Sequence, residues 1–564
     1  VAIVLLGLGL LWFTFTTRLI APVWLFVPVL LFVAVSVVHE RITRAWGRAS
    51  SAAEYYERAL ARLEHRWAGT GDSGARYLVE PHLYALDLDL FGTGSLFELL
   101  CTARTSAGAD TLAAWLRGPA SVEEIRERQA AVAELRSRLD LREDIALLGT
   151  GTPAGTNLEA LAAWGEALAT LVAPRSRVAA FVLSLLATAA LIGWGVFNTG
   201  ASPLMLVLLF EGGLALWFRE RVQRVLGPVE RRGNDLLLLA GLLARLEQEP
   251  FTAPRLRQLR GTLVVTGLSS EPPSQRIARL ARLLDWLNAK RNPYFAPLAY
   301  ALLWSTQFAF AIERWRLTTG PTIRHWLTAV GEFEALCALA TYGYENPEDP
   351  FPDILPEGPQ FEGEGLGHPL IPRPTCVPND VCLSGEVRLL VVSGSNMSGK
   401  STLLRTVGVN AVLALAGAPV RARRLRMSPL AVGASLRLQD SLQEGRSRFY
   451  AEVTRVRQLV DLAHGSLPLL FLLDELFQGT NSHDRRLGAE AVVRGLVDAG
   501  ASGLITTHDL ALTHIADRLA PRAANAHFED HFENGAMTFD YRMRPGVVRK
   551  SNALALMRAV GLDV

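Results

Sequence analysis

Three short stretches combine residue types and spacings suited to phosphate chemistry. The first is Gly394-Ser395-Asn396-Met397-Ser398-Gly399-Lys400-Ser401, between 387–392, which reads as a buried strand, and the apolar-periodic stretch from Thr402 to Leu415. It has the spacing G-x-x-x-x-G-K-[ST] in a strand–loop–helix setting. The glycines let backbone N–H groups wrap phosphate oxygens, and the helix start adds a partial positive charge. Lys400 is placed to reach the β- and γ-phosphates of a nucleoside triphosphate, and Ser401 to ligate Mg²⁺. Only three of the 57 basic residues are lysine: Lys290, Lys400 and Lys550. Arginine cannot replace a compact ammonium, so a lysine at the required position strengthens this reading over a merely structural turn.

The second stretch is the apolar run Leu469–Leu473, followed by Asp474 and Glu475. Such a run predicts a central parallel strand. Asp474 would hold Mg²⁺ through water and Glu475 would polarise the attacking water. Without the upstream loop the same residues would read as a strand ending in a solvated acidic turn. The third stretch, Gly503–Thr507, ends at His508-Asp509. Ligands bind at the carboxyl ends of strands in open α/β sheets, so His508 is a candidate to hydrogen-bond a γ-phosphate. Between loop and acidic strand, Gly445 and Ser447 head another candidate helix. Its N-terminus could receive the γ-phosphate bound on a second subunit, or could be an ordinary capped helix. The residues alone do not choose.

A mostly parallel α/β domain over 351–564, opening after the break at 347–352, would position these groups. Upstream, Ala52–Arg66, Thr111–Leu116, Val122–Leu135 and Gln275–Ala289 show apolar spacing near helical periodicity. The chain is 564 residues long, enough for several domains. The net charge of +2 excludes a globally basic nucleic-acid coat and an acidic tail, though not local patches. Cys101, Cys337, Cys376 and Cys382 are scattered, which argues against a disulfide framework or a cysteine zinc site.

Half of the residues are hydrophobic, which directs attention to membrane segments. Residues 1–15 and 19–38 predict one hairpin, and 178–197 with 203–218 a second. A signal peptide is the alternative at the start, but no small-residue cleavage site precedes the second run. Arg41, Arg44, Arg48, Arg175, Arg177, Arg219, Arg221 and Arg224 flank these runs. By the positive-inside tendency, 39–177 and 219–564 face the cytoplasm. This predicts residence in the inner membrane of a bacterium. Glu211 interrupts the last span and requires a helix-interface contact; a transport role is the weaker alternative, since the other spans carry no companion charge. A fifth apolar run, Tyr294–Ile312, reads as a buried or membrane-surface helix in preference to a span.

Together the motifs resemble the MutS family of DNA mismatch-repair ATPases. Residues 394–402, including Asn396, Met397 and Thr402, are similar to that family's phosphate loop. The stretch from Gly433 to Glu452 is similar to its trans-acting segment, with Ser447 contacting nucleotide across a dimer. Asp474-Glu475 with 479–482, and Thr507-His508, are similar to its acidic strand and switch histidine. Tyr541 to Leu562 resembles the strand, turn and closing helix that end its ATPase domain. Upstream, 94–100, Trp115 to Pro119 and 128–132 resemble the opening of its helical core, and Gly331 to Ala340 its returning lever helix. Several features depart from the family. No mismatch-reading domain or Phe-x-Glu wedge is present, 219–330 is short for a DNA clamp, and Cys376 falls near where an aromatic would stack on adenine. The sequence stops at Val564, short of many members' dimerising tail.

The resemblance implies a MutS/ABC-type P-loop ATPase domain behind an all-α lever region with transmembrane helices. The expected divisions are 1–38, 39–177, 178–218, 219–350 and 351–564. It implies ATP and Mg²⁺ in a composite site, a homodimer, and a lever movement coupled to DNA. Arg421, Arg423, Arg424 and Arg426, with Arg255, Arg257 and Arg260, are candidate phosphate contacts, although arginine clusters are expected as solvated faces in such an arginine-rich chain. The competing reading is a membrane-tethered mechanical ATPase acting on a protein or lipid without nucleic acid.

Overall fold

The computed structural model describes residues 26–78, 82–148, 158–171, 173–265, 271–437, 448–533 and 536–548, besides 7, 9, 10, 12 and 24. Ten strands are described: β1 Asp353–Ile354, β2 Phe361–Leu366, β3 Asn379–Leu383, β4 Leu389–Ser393, β5 Arg424–Met427, β6 Ala431–Ser435, β7 Leu469–Asp474, β8 Ser502–Thr507, β9 Ala523–Glu533 and β10 Ala536–Pro545. The larger sheet has the order β10-β9-β4-β8-β7-β6. All of its neighbours are parallel except β10, which returns antiparallel on β9. A smaller sheet, β1-β5-β2-β3, was not expected from the sequence.

Alternation explains why the middles of β4, β7 and β8 are apolar on both faces. Successive side chains of a strand point to opposite faces. Leu390, Val392, Leu470, Leu472 and Leu504 join a core shared with Leu404 and Val407 of the helix Lys400–Ala416. Leu389, Val391, Phe471, Leu473 and Ile505 join a second core with Leu459, Val493 and Ile515 of helices Arg448–Ala463, Ser482–Asp498 and Leu510–Arg518. Both faces are covered, so neither can be polar.

The first core continues into the helical region. The helix Ile323–Glu345 packs on Ser106–Arg117 and Val122–Arg136, and Ser106–Arg117 packs on Lys400–Ala416. Gly331 permits the closest approach: a Cβ there would lie 2.7 Å from the Ala107 carbonyl oxygen. One turn on, Glu334 accepts hydrogen bonds from the backbone N–H groups of Arg104 (2.7 Å) and Thr105 (3.3 Å) at the start of the facing helix. Burial pushes its carboxyl up to about 7.

Three helices are long and apolar enough to cross a membrane, by length and composition: Phe26–Leu63, Arg175–Phe197 and Ser202–Leu226. The first continues without a break past Val38, where the sequence predicted the anchor to end. Most of the expected first arm, 1–15, lies outside the described residues. The fifth apolar run is not one continuous helix. A short helix, Ala296–Ala301, is followed by a left-handed residue, Leu303, and by the largely buried Trp304–Thr319.

Glu211 is buried where Ser202–Leu226 packs on its neighbours, and neither carboxyl oxygen has a hydrogen-bond partner among the described residues. An unmet buried polar group costs about 1–3 kcal/mol. Glu211→Leu should therefore raise the thermal midpoint of the full chain in detergent. A lowered midpoint would show that the carboxyl has a stabilising contact.

Candidate functional site

Strand β4 delivers the chain into the glycine loop, and the loop feeds the helix Lys400–Ala416. Gly399, at φ +103°, adopts a left-handed conformation suited to glycine. The Oγ atoms of Ser395 and Ser398 are buried with no hydrogen-bond partner among the described residues. Two orphaned hydroxyls in a loop at a helix N-terminus fit an anion with several acceptor oxygens. Lys400 is buried; its Nζ donates to the carbonyl oxygens of Gly394 (2.9 Å) and Ser395 (2.8 Å) and lies 3.7 Å from Glu475 Oε1. Burial pushes its ammonium below the ordinary value, opposed by the charges of Glu475 and Asp474.

The two carboxylates arrive from the end of β7. Ser401 Oγ donates to Asp474 Oδ2 at 2.6 Å, and the Thr506 hydroxyl donates to Asp474 Oδ1. The pair Ser401 and Asp474 could hold a magnesium ion that keeps most of its ligands as water and phosphate oxygens. Among the described residues no group of three or more His, Cys, Asp or Glu forms a richer metal site.

Glu475 has φ +49°, a strained value for a non-glycine residue. Its N–H lies 3.2 Å from both oxygens of Thr506, so β8 holds the turn. Its Oε1 is 3.2 Å from His508 Nδ1, and its Oε2 accepts from Gln478 Nε2. His508 is half exposed and precedes Asp509, whose carboxylate caps the helix Leu510–Arg518 through Ala511 N–H at 3.0 Å. Glu452, on Arg448–Ala463, accepts from Phe477 N–H at 2.5 Å and so ties that helix to the acidic loop.

These groups open on a cavity of about 650 Å³ lined by Asn396, Met397, Gly399, Lys400, Ser401, Thr402, Asp474 and Glu475. It extends to Thr375, Cys376, Val377, Phe528 and Tyr541. A Cβ on Gly399 would meet the Tyr541 ring at 3.2 Å, so that ring rests on the loop. Asn379 holds Tyr541 there: its amide donates to the Tyr541 carbonyl at 3.0 Å and its Oδ1 accepts from Met543 N–H at 2.7 Å. His368 lines the same cavity, and burial pushes its imidazole down to about 4, leaving it neutral near pH 7.

Gly394, Ser395, Asn396, Met397, Ser398, Gly399, Lys400, Ser401, Thr402, Asp474, Glu475 and His508 are thus brought to one place. Ser447 and Gly445 lie outside the described residues. Sequence reasoning missed Thr506, Gln478, Asn379 and an aromatic role for Tyr541. The polar pair Thr506-Thr507 at a strand end was an available signal for the first. The arginine groups are partly engaged within the chain. Arg421 is buried, Arg426 pairs with Glu362 at 3.1 Å, and Arg255 pairs with Glu332 at 2.8 Å, while Arg257 and Arg260 are exposed.

Residues 390–563 match MutS domain V. The chain is similar to the DNA mismatch repair protein MutS of Natronomonas pharaonis, 35% identical over 252 residues, which is 43% of this chain and 28% of that protein. It is similar to the DNA mismatch repair protein MutS of Myxococcus xanthus, 28% identical over 525 residues, 83% of this chain and 56% of that protein. The Endonuclease MutS2 of Thermus thermophilus is 32% identical over 213 residues, 36% of this chain and 27% of that protein. These matches thus cover between 27% and 56% of the length of those relatives.

Proposed function

We propose, from the match of residues 390–563 to MutS domain V, that this chain is a membrane-anchored MutS-like ATPase. It would bind and hydrolyse ATP in a site shared by two copies and convert hydrolysis into a lever movement. One observation carries this reading: the carboxylate pair ending β7 meets Ser401 Oγ and approaches Lys400 Nζ across the glycine loop. The loop N–H groups and Lys400 bind the phosphates, and Ser401 with Asp474 would hold Mg²⁺, which when bound would supply positive charge against the β- and γ-phosphates. Glu475 accepts the proton of the attacking water, and His508, beside its Oε1, responds to the γ-phosphate. Ser447 of a second copy would complete the site. Membrane helices at 1–38 and 178–218 would hold the ATPase domain at the cytoplasmic face of a bacterial inner membrane.

The path for a lever movement starts at the helix Lys400–Ala416 and passes through Ser106–Arg117 to Ile323–Glu345. At the end of that helix, Glu345 receives a bidentate pair from Arg62, at 2.6 and 2.9 Å. Arg62 lies on the same continuous helix that begins at Phe26. Movement of the lever would be felt along that helix.

The Tyr541 ring beside the loop supplies the aromatic face that Cys376 lacks. Stacking on a base is worth about 1–3 kcal/mol, so Tyr541→Ala should weaken ATP binding measurably, with inorganic triphosphate binding unchanged. Equal losses for both ligands would refute a base contact.

Coupling to DNA is supported by the similarity to proteins named for DNA mismatch repair and by the exposed Arg257 and Arg260. Engagement of Arg421, Arg426 and Arg255 within the chain favours the second reading, a mechanical ATPase acting on protein or lipid. Hydrolysis stimulated by duplex or branched DNA, with steep salt dependence, supports the first. Hydrolysis indifferent to DNA at low salt supports the second.

A further inference from the structure

We propose that the elbow at 286–303, from the last turn of the helix Pro273–Asn288 to the start of Trp304–Thr319, lies in the lipid–water boundary of the bilayer. It would act as an aromatic shelf beside the second membrane hairpin. This rests on the membrane reading of that hairpin and deepens it.

The first observation is exposure. Trp286 is 65% exposed, Tyr294 94% and Tyr300 81%. Between Arg291 and Glu313 the chain carries no charged residue. Two exposed tyrosines on a charge-free segment, with the exposed Trp286 shortly before it, call for a partner. Their rings are apolar and their N–H or O–H groups polar, a combination that favours the headgroup level of a membrane.

The second observation is position. The short helix Ala296–Ala301 packs against Pro174–Phe197, one arm of the hairpin, with Ala299 buried and Leu298 and Tyr300 exposed. The exposed face of the elbow therefore adjoins the lipid-facing surface of the hairpin, where Phe181, Leu185 and Phe210 are also exposed.

The third observation is that the elbow is held in shape. Lys290 Nζ reaches Glu230 Oε1 at 3.1 Å and Ser305 Oγ at 3.3 Å. Trp304 Nε1 donates to the Trp286 carbonyl at 2.8 Å, and the Phe295 ring meets the Trp304 ring edge-on at 5.0 Å. Polar ties close the base, while Tyr294 and Tyr300 project from the apex. The left-handed break at Leu303 prevents one continuous helix, so the segment lies against a bilayer and does not cross it.

The test places a photoreactive azidophenylalanine at 294, 300, 210 or 487 of the full chain. Each variant is reconstituted in phosphatidylcholine–phosphatidylglycerol nanodiscs, and lipid adducts are read by mass. Position 210 reports the hairpin, and 487, exposed in the ATPase domain, reports water. Lipid adducts at 294 and 300 comparable to those at 210, and several-fold above 487, are expected. Adducts at 210 without adducts at 294 and 300 overturn the shelf and leave the membrane reading intact. Adducts to a second chain in place of lipid at 294 and 300 also overturn it. No lipid adduct at 210 removes the membrane reading itself, and the shelf with it.

Discussion

Glu475→Gln should lower ATP turnover by about 10²–10⁴-fold, the usual contribution of a positioned general base, while Mg-ATP binding stays near wild type. Glutamine keeps the shape of the side chain and can still accept from Gln478. It cannot take a proton from water. The turn that presents residue 475 is held by backbone contacts to Thr506, which the substitution leaves in place. Binding should persist because Lys400 and the loop are untouched. Phosphate release and equilibrium nucleotide binding, measured on the same preparation, separate the two effects. Turnover at the wild-type rate would remove Glu475 from the proton transfer.

Lys400→Ala should abolish tight nucleotide binding. Truncating one partner of a buried, hydrogen-bonded charge pair costs about 2–5 kcal/mol, or roughly 30-fold to several-thousand-fold in Kd. Without a ligand, the ammonium is pulled between burial, which disfavours its charge, and the two carboxylates that retain it. Its removal therefore need not harm folding, and an unchanged thermal midpoint would isolate the binding effect. Lys400→Arg should not restore binding, because a planar guanidinium cannot occupy the space of an ammonium held between two loop carbonyls. Nucleotide affinity within a few-fold of wild type in the alanine variant would refute the phosphate role.

The central strands were readable because they are covered on both faces. Burial on both sides removes the alternation of polar and apolar residues and leaves runs such as 469–473, and the glycine loop, Asp474 and His508 follow such runs in the sequence. The smaller sheet was not readable. Strand β2, Phe-Glu-Gly-Glu-Gly-Leu, mixes glycine and glutamate, and only its pairing with β3 and β5 makes it a strand. The place of Tyr541 was hidden for a related reason. It depends on the antiparallel return of β10 along β9, on a register shift between Phe539 and Met543, and on Asn379 from a distant strand. No local pattern encodes that combination. The helix runs on beyond the apolar run that ends at Val38, because hydropathy falls there while helix formation does not. The residues from His39 to Leu63 continue the same helix, and Arg48 and Arg62 fasten it to Asp144 and Glu345.

The most direct measurement is a calorimetric titration of Mg-ATP into the purified full chain in nanodiscs, paired with steady-state phosphate release. Saturable binding of one nucleotide per chain should appear, with turnover abolished by chelating Mg²⁺. The absence of saturable binding at millimolar ATP would contradict the assignment of the cavity at Lys400, Asp474 and Glu475 as an ATPase site.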